Sequence, residues 1–374
     1  MSSRSKIVYV ISMVDNSLPF FWFFKELKET GNDFDVIFLH PKPPALLARL
    51  KDENMACHFL KYSSKLDIPD VLFRLYFLIK KLKPTVVHTH LFDASILGLT
   101  AARLTGVKRI VHTRHHATYH HVYFPHAVKY DKFINTLSHS VIATSEMIRD
   151  ILVRKEGVDL SKVQVVYHGF QLEQYDKVDS IRISDFRERN RIPSGRIYIG
   201  IVSRYTEWKG VQYIIPAFRK LYLENPNLHL VLANAHGDYK NEIQGMLSKL
   251  PDDAYTEIVF ETDTQALFSS FDIFVHCPID EHSEAFGQVY VEALAAGVPS
   301  VFTHSGVSPS FIKDGVNALI ADYHSSESIE RALKRLLTDR QLAFALSARG
   351  QLDVRQLFGI TRMVQQTLNC YAVR

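Results

Sequence analysis

Short β-branched runs alternate with longer amphipathic stretches along almost the whole chain. Strands are predicted to begin at Ile7, Phe34, Ala56, Thr85, Arg109, Ser140 and Gln164, with helical patterns around 20–30, 70–83, 93–105 and 144–155 between them. After a polar, charged piece the alternation restarts. Strands are expected near Ile197, Leu228, Ile258, Asp272, Pro299 and Ala318, and helices near 210–224, 263–270, 287–296 and 326–338. Strands that alternate with helices build parallel sheets covered on both faces and joined by right-handed crossovers. Meeting the pattern twice predicts an α/β chain of two doubly wound domains, 1–170 and 195–354, with 171–194 as the linker. Ligands of such sheets bind beyond the carboxyl ends of the strands, so two facing domains would share a cleft. The final pattern, 355–374, carries Leu357, Phe358, Met363, Val364, Leu368 and Tyr371 at near-helical spacing. It must bury that face, and returning to the first domain is one way to do so.

The chain has 374 residues, enough for two such cores, and its 47% hydrophobic and 22% charged residues are those of a globular protein. A net charge of +4 gives no argument for a nucleic-acid partner. The three cysteines, Cys57, Cys277 and Cys370, fit neither a disulfide framework nor a zinc spacing, which points to a reducing, cytoplasmic setting. The early apolar run Ile7–Val14 stops at Asp15, too short to span a membrane, and no small-residue cleavage site follows it.

Chemistry concentrates in the second half. Residues 284–299 read EAFGQVYVEALAAGVP, with seven residues between Glu284 and Glu292. Gln288 to Ala296 contains good helix formers and no Gly or Pro, while Gly297 and Pro299 end the helix. Gly287 then stands where a loop hands over to the helix, so Phe286, Gly287 and Gln288 would offer backbone amides to an anion. Earlier, the apolar strand Ile199–Ser203 runs straight into Arg204-Tyr-Thr-Glu207-Trp-Lys209-Gly210. A guanidinium fork and an ammonium just past a strand end suit a diphosphate.

Taken together, these two stretches resemble the retaining glycosyltransferases of family four, which have the GT-B architecture of two facing Rossmann-like domains. The resemblance extends to His88-Thr-His90 and Thr113-Arg-His115 after successive strands, to Ser145-Glu146, and to Val165-Val-Tyr-His-Gly169. It implies a transferase moving a sugar from a nucleotide-diphosphate donor to a hydroxyl acceptor, a sugar or lipid-linked sugar, with no bound metal or other cofactor. By that resemblance Arg204 and Lys209 would clamp the diphosphate, helped by the amides around Phe286, Gly287 and Gln288. Glu207 would lie in the same donor site. Glu292 would accept hydrogen bonds from the ribose, Glu284 would hold donor-sugar hydroxyls, and His115 would reach the sugar or acceptor from the other domain. The leaving phosphate would take the acceptor's proton on the same face, so no protein nucleophile is required.

The sequence departs from the family in several loops. Asp15-Asn-Ser-Leu-Pro-Phe20 has no glycine after the first strand, and Thr303–Ser310 keeps only Gly306 and lacks a glutamate near Ser310. The turn after the Leu228 strand, Ala233-Asn-Ala-His236-Gly-Asp, leaves the base pocket undefined. The segment His112-Thr-Arg-His115-His116-Ala-Thr-Tyr-His120-His121 is dense in histidine, yet a zinc site needs a supporting carboxylate and none follows before Asp131, so ordinary loop or acceptor-binding histidines are expected. Asp33-Phe-Asp35 reads as a solvated turn before a strand. Phe20-Phe-Trp-Phe-Phe24 followed by Lys25 and Lys28 reads as core packing, with peripheral contact to the inner membrane face as the other option. Competing functions are a GT-B sugar-nucleotide epimerase or phosphorylase, and a non-catalytic two-lobed solute-binding protein. A nicotinamide dehydrogenase is excluded, since no GxGxxG follows a strand.

Overall fold

The computed structural model describes residues 6–176 and 178–372. Residues 1–5, 177, 373 and 374, which the expected domains, linker and last helix include, lie outside the described residues. The first sheet comprises β1 (Ile7–Ser12), β2 (Phe34–His40), β3 (Ala56–Lys61), β4 (Val86–His90), β5 (Arg109–Arg114), β6 (Ser140–Ala143) and β7 (Val163–Val165). The second comprises β8 (Ile197–Val202), β9 (Leu228–Ala233), β10 (Tyr255–Ile258), β11 (Ile273–His276), β12 (Ser300–Phe302) and β13 (Leu319–Ile320). Their orders are β3-β2-β1-β4-β5-β6-β7 and β10-β9-β8-β11-β12-β13, parallel throughout. Each is doubly wound, and the direction of winding reverses between β1 and β4 and between β8 and β11.

Both faces of each sheet are covered, which is why the strands read as unbroken apolar runs. Val8, Val10, Ile37, Leu39, Val87 and Ile110 form one core with the flanking helices. Ile199, Ile201, Leu230, Leu232, Ile273, Val275 and Val301 belong to another.

The chain divides into two compact units, residues up to 171 with those from 359 onward, and 172–358. The stretch 171–194, expected as a linker, is largely part of the second unit. Asp179 caps a helix over Ser180–Arg189, Phe186 is buried, and Arg182 pairs with Asp263 while Arg187 donates to the Ser270 carbonyl. The boundary expected at 354 falls at 358: the helix Arg340–Leu357 runs past 354, and the expected final helix 355–374 is broken at Phe358-Gly359 before resuming as Ile360–Asn369. The second of these lies against the helix Leu18–Glu29, with Thr361 donating to Glu26. Tyr371 places its hydroxyl 2.6 Å from His88 Nδ1 and 2.7 Å from that of Tyr9.

Two further expectations change and one holds. His88-Thr-His90 and Thr113-Arg114 are the last residues of β4 and β5 rather than loop residues. Trp22, Phe23, Phe24 and Leu27 are buried on the inner face of their helix, as core packing predicts, while Phe20 and Phe21 are half-buried. Asp35 is buried within β2 and pairs with Lys6 at 2.8 Å and His58 at 2.7 Å, so the Asp33-Phe-Asp35 stretch is not a solvated turn. Among the described residues, no helix is long and apolar enough to cross a membrane.

Candidate functional site

The second sheet reverses its winding between β8 and β11, and the chemistry sits at the carboxyl ends of these two strands. The connection after β8 is drawn onto the end of β11 by Gly210. Its φ is +73°, and a Cβ there would lie 1.8 Å from the Cys277 carbonyl oxygen, so only glycine permits this approach. Ile279 N–H then donates to the Trp208 carbonyl at 3.1 Å, stitching the two loops together.

That stitching brings Lys209 onto Glu284, 75 positions later in the chain. The Lys209 ammonium donates to Glu284 Oε1, and His276, the last residue of β11, lies with Nε2 at 3.0 Å from the same oxygen. Both partners of the ion pair are mostly buried, with side chains 16% and 11% exposed. Burial pushes the Glu284 carboxyl up, but the Lys209 charge and the His276 hydrogen bond outweigh it and hold the group at about 2. Burial lowers the His276 pKa against the pull of Glu284, so the neutral ring donates its Nε2–H. The loop carrying Glu284 is braced from behind. Glu284 N–H donates to Ser305 Oγ at 2.9 Å, Gly306 N–H to the Glu281 carbonyl and Val307 N–H to the Phe286 carbonyl. A Cβ on Gly306 would lie 2.6 Å from the Phe286 oxygen, which accounts for the one glycine this loop retains.

The helix Gln288–Ala295 follows at once, with Gly287 at its N-cap position at φ +86° and no side chain capping it. The first-turn N–H groups of a helix have no intrahelical acceptor, and the helix dipole makes this end attractive to anions. Further along, Glu292 accepts a hydrogen bond at 3.1 Å from the hydroxyl of Tyr175, which lies in the short helical turn Leu172–Tyr175. Among the described residues no cation opposes it, and burial, against the Tyr175 hydrogen bond, drives the Glu292 carboxyl up to about 7.

The structure thus brings Lys209 and Glu284 into direct contact and sets Phe286, Gly287 and Gln288 immediately behind Glu284 in the chain. Arg204 is exposed just past β8, and its guanidinium makes no hydrogen bond or ion pair among the described residues. Glu207 is also exposed; its carbonyl accepts from Gln212 Nε2 and Gly210 N–H, and its carboxylate makes no hydrogen bond or ion pair among the described residues. His115 belongs to the first unit, just past β5. It meets His90 Nδ1 through Nε2 at 3.0 Å and stacks on His168, and burial holds it well below the ordinary histidine range. Three participants escaped the sequence reading: His276, Ser305 and Tyr175. Only His276 left a trace, as a lone polar residue closing an apolar run.

A model described as glycosyl transferases group 1 matches residues 182–353, and one described as glycosyltransferase family 4 matches residues 18–174. The Bacillus subtilis protein YtcC is 28% identical over 247 residues, 62% of this chain and 60% of that protein. The capsular polysaccharide biosynthesis glycosyltransferase CapM of Staphylococcus aureus is 21% identical over 342 residues, 89% of this chain and 83% of that protein. The chain therefore spans between half and two thirds of the length of the first curated relatives it matches. Among solved structures, Anabaena HepE in complex with UDP-glucose superposes with a TM-score of 0.83 at 18% identity, covering 98% of this chain and 99% of that one. With its two halves matched in turn by the two family models, the chain belongs to the family-four, group 1 glycosyltransferases and has the GT-B fold.

Proposed function

We propose that the chain moves a sugar from a nucleotide-diphosphate donor to a hydroxyl acceptor, with retention of the anomeric configuration and no metal in the transfer step. The observation that carries this reading is the Lys209–Glu284 pair held at the switch point of the second sheet, directly before an uncapped helix N-terminus. Arg204, exposed and unengaged, and Lys209 supply the positive charge that a metal supplies elsewhere. As the glycosidic bond breaks, charge grows on the leaving phosphate. Fixed cations and the amides of Gly287 and Gln288 stabilise that state more than the ground state. A diphosphate drawing on the Lys209 ammonium frees part of the Glu284 carboxylate for the hydroxyls of the donor sugar. Glu292, in its ionised form, accepts from the ribose hydroxyls with Tyr175 steadying it.

HepE, crystallised with UDP-glucose, makes uridine donors the first to test, and CapM's role in capsular polysaccharide biosynthesis supports a place in glycan or lipid-linked polysaccharide assembly. Three free cysteines suit a reducing compartment. Both family models are transferase models, so the epimerase and solute-binding alternatives gain no support. The test is incubation with UDP-, GDP- and ADP-sugars and a panel of hydroxyl acceptors, reading the product anomer by proton NMR. Retention, at a rate independent of added magnesium or manganese, is expected. An inverted product, or a rate that requires either ion, overturns the reading.

A further inference from the structure

The histidine-dense segment of the first unit closes around Asp131, the carboxylate that sequence spacing set aside. We propose that His116, His120 and Asp131 form a structural binding site for a divalent transition-metal ion, zinc by the chemistry of its ligands. One nitrogen from each ring and a carboxylate oxygen all lie within 4.8 Å of one another. His116 Nε2 is 3.3 Å from Asp131 Oδ1, and His120 Nδ1 is 2.7 Å from Asp131 Oδ2. A tetrahedral ion about 2.0–2.1 Å from each ligand sets neighbouring ligand atoms roughly 3.3 Å apart, the separation already held by His116 Nε2 and Asp131 Oδ1. Two imidazoles with one carboxylate select zinc, cobalt or nickel over magnesium or calcium.

Charge provides the second, independent argument. Asp131, Glu156 and Arg114 are 1%, 7% and 3% exposed, so two carboxylates are buried against one guanidinium. Arg114 lies between the two, 3.0 Å from Asp131 Oδ1 through Nη1 and bonded to Glu156 Oε1 through Nη2. Glu156 is further satisfied by Asn135 at 2.7 Å and His121 at 3.2 Å. Asp131 Oδ2 accepts from Arg114 Nη2 at 3.3 Å and lies 2.7 Å from His120 Nδ1, whereas its Oδ1 lacks a well-aligned hydrogen-bond donor although the residue is almost wholly buried. Two buried carboxylates share one guanidinium, and a cation beside the under-satisfied Oδ1 offsets the cost of burying that charge. The ligands come from the loop after β5, from the five-residue helix Tyr119–Tyr123 and from the helix Val128–Leu137. A helix of five residues has no stability of its own, and an ion would pin it to its neighbour.

Untagged full-length protein, stripped of metal and titrated with cobalt(II), tests this. Expected are a stoichiometric tetrahedral d–d spectrum, its displacement by zinc, and a melting temperature raised by zinc. His116→Gln and His120→Gln, which spare the Arg114 ion pairs, should abolish the spectrum and the zinc-induced shift. An octahedral spectrum, no binding, or the same spectrum in both variants overturns the site.

Discussion

At the loop end of the paired-glutamate motif, Glu284 faces an ammonium and an imidazole N–H; at the helical end, Glu292 faces a phenol as its one partner among the described residues. The first is held at about 2 and the second is raised to about 7, although both are glutamates on one short stretch of chain. Burial acts on both in the same direction, so the difference comes from Lys209 and His276, which exist only at the loop end. Spacing identifies which residues meet a ligand, while the surroundings decide the charge each one brings. Glu284 is a fixed anion, matched to a fixed cation. Glu292 titrates in the neutral range.

The comparison is broken most severely at Glu284. Glu284→Gln leaves the Lys209 ammonium largely buried without a counter-charge, an expected loss of about 3–5 kcal/mol in calorimetric stability together with the loss of transfer. Adding Lys209→Met should restore much of the stability and none of the activity. Arg204→Ala comes next, and its effect is confined to binding. Charge-assisted hydrogen bonds to the diphosphate are worth about 1.5–3 kcal/mol, or on the order of ten- to a hundredfold in affinity by titration calorimetry, with the ligand-free melting temperature unchanged.

Gly287→Ala forces an alanine to φ +86° and its Cβ to 2.5 Å from the Tyr290 ring, so chemical denaturation should show a loss of roughly 1–2 kcal/mol or more. Glu292→Gln has the smallest effect on total stability and the most telling pH profile. A raised folded-state pKa contributes stability that is present below about pH 4.5 and is lost as pH rises through 7. The variant should lack that decline. Glu284, depressed instead, contributes above about pH 4.5 and is lost as pH falls towards 2, so its variant should flatten the acid limb. Melting temperatures across the pH range distinguish the two.

Much of this architecture was legible in the sequence because buried parallel strands leave unbroken apolar runs, and most strand starts were placed within a residue. What could not be read depends on partners distant in sequence. The arginines of 182–187 look solvated until Asp263 and the Ser270 carbonyl, more than eighty positions away, are folded onto them. Arg204, Lys209 and the two glutamates were recognisable as a group, but not that Lys209 would sit on Glu284 or that Tyr175 would attend Glu292. Nor does spacing along a chain reveal that Asp131 closes the ring of His116 and His120.

The most direct test of the central claim is calorimetric titration of a nucleoside diphosphate, uridine diphosphate first and then its guanosine and adenosine counterparts, into the wild-type protein and Arg204→Ala. Saturable binding of one base type to the wild type, weakened at least tenfold in the variant, is the predicted result. Binding of equal strength in both proteins, or no binding of any of the three, would contradict it.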